Sequence, residues 1–264
     1  MTQLVTIDSE KCGKDGICIV ECPFFLLRAN ADGIPEMIPG AEVFCLKCGH
    51  CLAVCPNGAI TLEGVSPESC EQVSMQIPIN EKSLAQLIKA RRSIRVYKDR
   101  PVPRDVIEQL MNTVQYSPTA KNLQPVHWVF MDDRNKIHQM AGLTIEWLQK
   151  LSMVPEIIEA WEKGHDVILR GAPMLAITHA AKNSINPAAD CAIACTTLEL
   201  LANSRGIGGC WAGYFMRAAN SFDPLKQFMN LPAGHKVYAA LMLGYPKFKY
   251  HRIPMRQSPK LCWL

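Results

Sequence analysis

Between Cys45 and Pro56 the chain reads CLKCGHCLAVCP, four thiols spaced x2, x2, x3 and closed by proline. That spacing suits iron–sulfur ligation: three cysteines on a tight loop reach three corners of one cubane, while the fourth, beginning a helical turn, points toward a second cluster. A second run is therefore required, and a shift of 33 residues finds it, placing Cys12, Cys18, Cys22 and Pro23 on Cys45, Cys51, Cys55 and Pro56. Asp15 stands where Cys48 stands in the other run. A repeat this regular predicts two pseudo-symmetric halves. The crossed arrangement gives Cys45, Cys48, Cys51 and Cys22 to one complete [4Fe-4S] cluster. Cys12, Cys18 and Cys55, with Asp15 nearby, hold the other, a [4Fe-4S] or [3Fe-4S] cluster.

Residues 1–62 resemble the two-cluster bacterial ferredoxins and depart from them at Asp15. Three readings of that corner stay open: an oxygen ligand that completes a cubane, an empty corner with three irons, or an exchangeable iron. Zinc is the competing metal, since it also uses Cys-x2-Cys pairs, but it takes ligands in fours with tetrahedral closure. Disulfides fit less well, because the two runs hold an odd number of cysteines and nothing points to export.

The remaining elements must make room for a larger domain. At 264 residues the chain can bury a real core. With 28 basic and 24 acidic residues, its net charge of +4 is too mild to imply nucleic acid or a membrane surface. The start MTQLVTIDSE lacks a basic region followed by an apolar one, and no apolar run is long enough to span a bilayer, so a cytoplasmic protein is expected. Residues 63–80, polar and broken by two prolines, read as a linker or strap between the 1–62 domain and an 81–264 domain with a C-terminal tail.

Within 81–264, Asn80 is a candidate N-cap for a helix carrying Leu84, Leu87 and Ile88, and Pro103 suits the first position of a second helix that ends before Ser117-Pro118. Residues 126–131 read as a strand, 134–165 as mostly helical with an interruption at Pro155, and 174–179 as another strand. A long apolar helix over 186–205 ends at Gly206. Residues 208–213 are short and glycine-rich, 224–229 read as a helix and 236–243 as a strand. This order of elements predicts an α/β or α+β layer fold.

Two polar segments interrupt these elements. Arg91-Arg92-Ser93-Ile94-Arg95 sets three guanidinium groups and a hydroxyl at a helix end, where planar forks can take phosphate oxygens in pairs; taken alone it could equally be a solvated basic helix end. Tyr116 to Pro125, YSPTAKNLQP, is a polar loop between apolar elements. In this order, followed by GIGGCWAGYF at 206–215 and LGYPKFKYHRIPMR at 243–256, they resemble the nitroreductase family of flavin enzymes over roughly 81–256.

The resemblance implies an α+β nitroreductase-like sandwich, a homodimer, and one FMN in each half of the interface. Arg91, Arg92, Ser93 and Arg95 would contact the FMN phosphate and ribityl chain. Ser117, Pro118, Thr119 and Asn122 of the other subunit would line the flavin ring, with Gln124 adjacent. Backbone groups around Ala212, Gly213 and Tyr214 would lie near the flavin N5, and Arg252 with Lys249 would close over the phosphate. WAGYF carries no glutamate, unlike some members of that family, so bonding to N5 is expected from backbone N–H alone.

Cys70, Cys191, Cys195, Cys210 and Cys262 are isolated and read as small hydrophobes. His50, His127, His165 and His179 carry no ligand spacing, and Trp147 and Trp161 read as filling. No nucleophile–base pair is evident, so no catalytic side chain is assigned. A cluster passes single electrons and a flavin one or two. The expected activity therefore moves electrons between clusters and FMN, from reduced ferredoxin or NAD(P)H, to a nitroaromatic, quinone or enone. The alternatives are a relay between protein partners with no small substrate, and a flavin-remodelling or dehalogenating enzyme.

Overall fold

The computed structural model describes residues 3–74, 77 and 80–264. Two compact units emerge, one of Met1–Pro78 with Lys121–Leu123, the other of Ile79–Ala120 with Gln124–Leu264.

The first unit contains β1 (Val5–Ile7), α1 (Ile17–Glu21), β2 (Leu27–Ala29), β3 (Pro35–Met37), α2 (His50–Val54) and β4 (Ile60–Leu62). β1 pairs antiparallel with β4, and β2 with β3. The 33-residue repeat of the sequence is repeated in the backbone. Lys14 and Lys47 both take positive φ, Gly16 and Gly49 start α1 and α2 in the left-handed region, and Cys22 and Cys55 end them in nearly equal extended conformations. Glycine is needed at both starts because a side chain there would be strained.

Of the linker expected over 63–80, Met75, Gln76, Pro78 and Ile79 lie outside the described residues. Its earlier part belongs to the first unit instead: Leu62 bridges to Val65, and Glu68 takes Lys11 Nζ at 3.1 Å. The boundary thus falls later than residue 62, because polar anchors in this stretch find partners on the unit that precedes it.

The second unit is built on a four-stranded antiparallel sheet of β5 (His127–Met131), β6 (Met174–Ala181), β7 (Gly208–Trp211) and β8 (His235–Gly244), in the order β5-β6-β8-β7. Its helices are α3 (Glu81–Ala90), α4 (Arg104–Val114), α5 (Arg134–Lys150), α6 (Pro155–Glu162), α7 (Pro187–Ser204), α8 (Gly213–Ser221) and α9 (Asp223–Met229). The central strands are apolar on both faces, and alternation sorts them. Leu175, Ile177, Val237, Ala240 and Met242 face a core with α5, α8 and α9. Met174, Ala176, Ala239, Leu241 and Leu243 face one with α4 and α7.

Local chemistry sets the ends. Asn80 Oδ1 accepts from the Lys82 and Ser83 N–H groups, capping α3. α7 closes on Gly206 at φ 75°, with Ile207 N bonded to Ala202 O and Gly206 N to Asn203 O, the paired bonds of a Schellman end. Pro103 is the N-cap of α4 and not its first helical residue, since its ψ of 140° keeps it extended. The glycine-rich segment after α7 is an edge strand, β7, leading straight into α8.

Candidate active site and cluster loops

α3 ends into an extended strap, Arg91–Tyr97, that is stitched to the edge of the sheet. Ile94 N donates to Gly209 O at 2.9 Å, Lys98 N to Tyr245 O at 2.8 Å, and Lys247 N to Val96 O at 3.0 Å. Contact is this close because Gly208 has no side chain: a Cβ there would lie 2.2 Å from Ile94 Cγ1.

Successive side chains of the strap go to different places. Arg91 pairs with the buried carboxylate of Glu199 at 2.8 Å, and Trp211 Nε1 donates to the other Glu199 oxygen at 3.3 Å. Arg92 lines a cavity of ≈ 360 Å³ with Lys98, Lys247 and Lys249. Ser93 lies against Cys210, whose thiol is pushed up chiefly by burial, against the pull of Arg95 and Arg170. Arg95 opens into a second cavity, of ≈ 670 Å³. The arginines expected to act as one group are therefore divided between two cavities and an ion pair.

That larger cavity also holds Gly213 and Tyr214. Ala212 is the N-cap of α8, without a side-chain cap, and its own N–H goes to Ala240 O at 2.9 Å. The N–H groups of the first turn have no intrahelical acceptor, and the helix dipole adds positive potential there. The site thus offers backbone donors and a guanidinium to an electron-rich ligand.

The 116–125 loop lines neither cavity within one chain. Ala120 N donates to buried Asp190 on α7 at 3.0 Å, and Thr119 Oγ1 accepts from Gln124 N at 3.0 Å. Ser117 Oγ and Asp190 Oδ2 are buried here with no partner among the described residues. Lys121, Asn122 and Gln124 all take positive φ, strain of a kind that gathers at ligand sites. Asn122 groups with the first unit, where its Nδ2 donates to the carbonyls of Leu46 and Lys47 at 3.4 and 3.3 Å. Pro118 is exposed, and Arg252 lies in the irregular, exposed tail after β8.

In the first unit, burial pushes the Cys51 thiol up to about 11, and Cys45, Cys48 and Cys22 act on it from close by. Cys18 is raised by burial too, and then by Cys55, Asp15 and Cys12. Cys51 is thus grouped with Cys45, Cys48 and Cys22, and Cys18 with Cys55, Asp15 and Cys12. Leu26 N donates to Cys22 Sγ at 3.4 Å and Ala59 N to Cys55 Sγ at 3.3 Å, again 33 residues apart. Asp15 Oδ1 accepts from Ile17 N at 3.0 Å. Among the described residues no three His, Cys, Asp or Glu side chains are placed to hold a single metal ion.

Other groups were silent in the sequence. Glu199 and Asp190 are carboxylates inside an apolar helix, and Arg170 and Arg217 belong to no motif. His127, His179 and His235 gather at one end of the sheet with ring centroids 5.0–5.3 Å apart, the Nδ1 atoms of His179 and His235 standing at 2.9 Å. Burial, followed by the repulsion of His235 and His127, pushes the His179 imidazole down to about 4.

Residues 88–245 match the model of the nitroreductase family. The chain belongs to that family. A relative from Archaeoglobus fulgidus, provisionally named NADH dehydrogenase/NAD(P)H nitroreductase, is 30% identical over 166 residues, 61% of this chain and 84% of the relative. A nitroreductase with bound FMN from Bacteroides fragilis superposes with a TM-score of 0.59 at 22% identity, covering 70% of this chain and all of the other. One from Desulfitobacterium hafniense, also with FMN, gives 0.57 at 19%, covering 69% and 96%. The second unit thus has the nitroreductase-like α+β fold, as expected from its strap and loop motifs. No helix among the described residues is long and apolar enough to cross a membrane.

Proposed function

We propose that this chain is an FMN-dependent oxidoreductase that reduces an organic acceptor such as a nitroaromatic, quinone or enone, and that its first unit carries two iron–sulfur clusters. The observation that carries the flavin reading is the cavity where Arg95 meets the uncapped start of α8. FMN, when bound, supplies hydride and single-electron transfer, and iron–sulfur clusters supply single electrons.

The chain's own residues have distinct tasks in this reading. Backbone N–H groups of Gly213 and Tyr214 would donate to the flavin near N5, and Arg95 would counter negative charge on the ring. Arg92 and Lys249, which share the smaller cavity, would serve the phosphate, with Arg252 folding over it; Ser93, beside Cys210, would meet the ribityl chain, while Arg91 holds the strap through Glu199. In a homodimer, Ser117, Pro118, Thr119, Asn122 and Gln124 of one subunit would cover the flavin of the other, which gives the orphaned Ser117 hydroxyl a partner. In this reading protons for the acceptor come from water or from FMN itself.

Support for the clusters comes from the paired thiol groupings and the repeated N–H···S bonds to Cys22 and Cys55. Cys45, Cys48, Cys51 and Cys22 would hold one cluster, and Cys12, Cys18 and Cys55 with Asp15 the other. Reduced ferredoxin or NAD(P)H is the donor, the latter suggested by the names of the relatives. Flavin fluorescence of the supernatant after denaturation, with iron and sulfide counts on anaerobic protein, tests both cofactors. Stoichiometric FMN with seven to eight irons is expected from roughly two cubanes; protein without flavin or iron would end the reading.

A further inference from the structure

The larger cavity carries more positive charge than a flavin ring edge requires. Besides Arg95 it is lined by Arg170 and Arg217, with Glu156 as its single acidic side chain. Its remaining wall is largely apolar, including Ile168, Trp211 and Met242. Its volume of ≈ 670 Å³ is that of a small-molecule pocket.

Arg170 is presented by a built loop. It sits at φ 58° directly before Gly171, also at φ 58°, a conformation that costs a non-glycine residue free energy and persists only where its surroundings impose it. Asp166 imposes it, accepting from the N–H groups of Ile168, Leu169 and Gly171 at 2.9 Å each. The Asp166 carboxylate is thus engaged by the backbone of its own loop. Among the described residues neither Arg170 nor Arg217 forms an ion pair. Arg217 lies over the Trp147 ring, its guanidinium carbon 5.6 Å from the ring centroid.

We propose that Arg170, assisted by Arg217, binds the carboxylate of the acceptor, so that the physiological substrate is an aromatic or enone acid and not a neutral molecule. A guanidinium fork takes both oxygens of a carboxylate at once, and the apolar wall takes the unsaturated body. This inference rests on the proposed flavin site at the same cavity. The competing use of these arginines is the phosphate of FMN itself.

Equilibrium dialysis of the purified protein with 4-nitrobenzoate and with 4-nitrotoluene separates the two uses, with FMN affinity measured on the same preparations by flavin fluorescence. The wild-type chain is expected to hold 4-nitrobenzoate about tenfold or more tighter than 4-nitrotoluene, the size of one charge-assisted contact. Arg170→Gln should bring that ratio toward one, Arg217→Gln should lower it partway, and Arg170→Lys should restore part of it. Equal binding of the two probes by the wild-type chain overturns the proposal, and so does a loss in Arg170→Gln that falls on FMN instead of on 4-nitrobenzoate. A chain that prefers the anion but takes up no FMN would sink the flavin reading and leave the anion site standing.

Discussion

Gly208→Ala tests whether the strap must touch the sheet to form the site. The added methyl would lie 2.2 Å from Ile94 Cγ1, 2.9 Å from Ile94 Cβ and 3.1 Å from Pro246 Cγ. Rotating Ile94 moves its Cγ1 but not its Cβ, so the strap itself must shift, and with it the bond from Ile94 N to Gly209 O. Overpacking of this kind costs about 1–3 kcal/mol, and the lost hydrogen bond about 0.5–1.5 kcal/mol more. A loss of about 2–4 kcal/mol would lower the Tm of the second unit by roughly 5–15 °C. Thermal melts and FMN affinity measured together should both fall. Ile94→Ala removes the nearer atom, so the double variant should be less damaged than the two single losses added together, by about 1 kcal/mol or more. A Gly208→Ala protein that melts within a degree of wild type and binds FMN as well would refute the reasoning.

Glu199→Leu strips the counter-charge from Arg91 and the acceptor from Trp211 Nε1. Removing one partner of a buried pair costs about 3–5 kcal/mol, and the 27% exposure of Arg91 puts this one near the lower end; denaturant midpoints equal to wild type would contradict it, and Glu199→Gln should lose less. His179 has a folded value below its unfolded one, so its contribution to stability is whole above about pH 6.5 and is lost as pH falls toward about 4. Urea midpoints at pH 7 and pH 5 should differ more for the wild type than for His179→Gln, and parallel behaviour would remove His179 as the cause. Asp15→Cys restores the missing thiolate and should not lower the iron count; a drop in iron and sulfide would show that Asp15 is not at a cluster corner.

The cysteine repeat was legible because ligand spacing is a local property, and the backbone repeats it down to the φ angles at Lys14 and Lys47. Cap and stop signals were equally local at Asn80 and Gly206. What escaped depends on tertiary placement. The five residues of the RRSIR strap announce charge, but which cavity each side chain enters follows from pairing with β7. That strand is GGCW, without the β-branched residues that mark strands, and α8 starts at Gly213 with no side-chain cap to announce it. Glu199 carried no signal in the sequence, and its role follows from Arg91 and Trp211, which meet it in the fold. Arg170 sits in a stretch with no motif, and only the folding of Asp166 back onto the loop gives it a direction. In the loop at 117–124, Ser117 Oγ is buried without a partner among the described residues.

The central claim is that a flavin and thiolate-held iron share this polypeptide and exchange electrons. An anaerobic reductive titration followed by visible absorption and EPR measures that directly. The account predicts broad iron–sulfur absorption that bleaches together with the visible flavin band, and reduced-cluster EPR signals from two centres. A colourless protein, or iron that is reduced while bound flavin stays oxidised throughout, would contradict it.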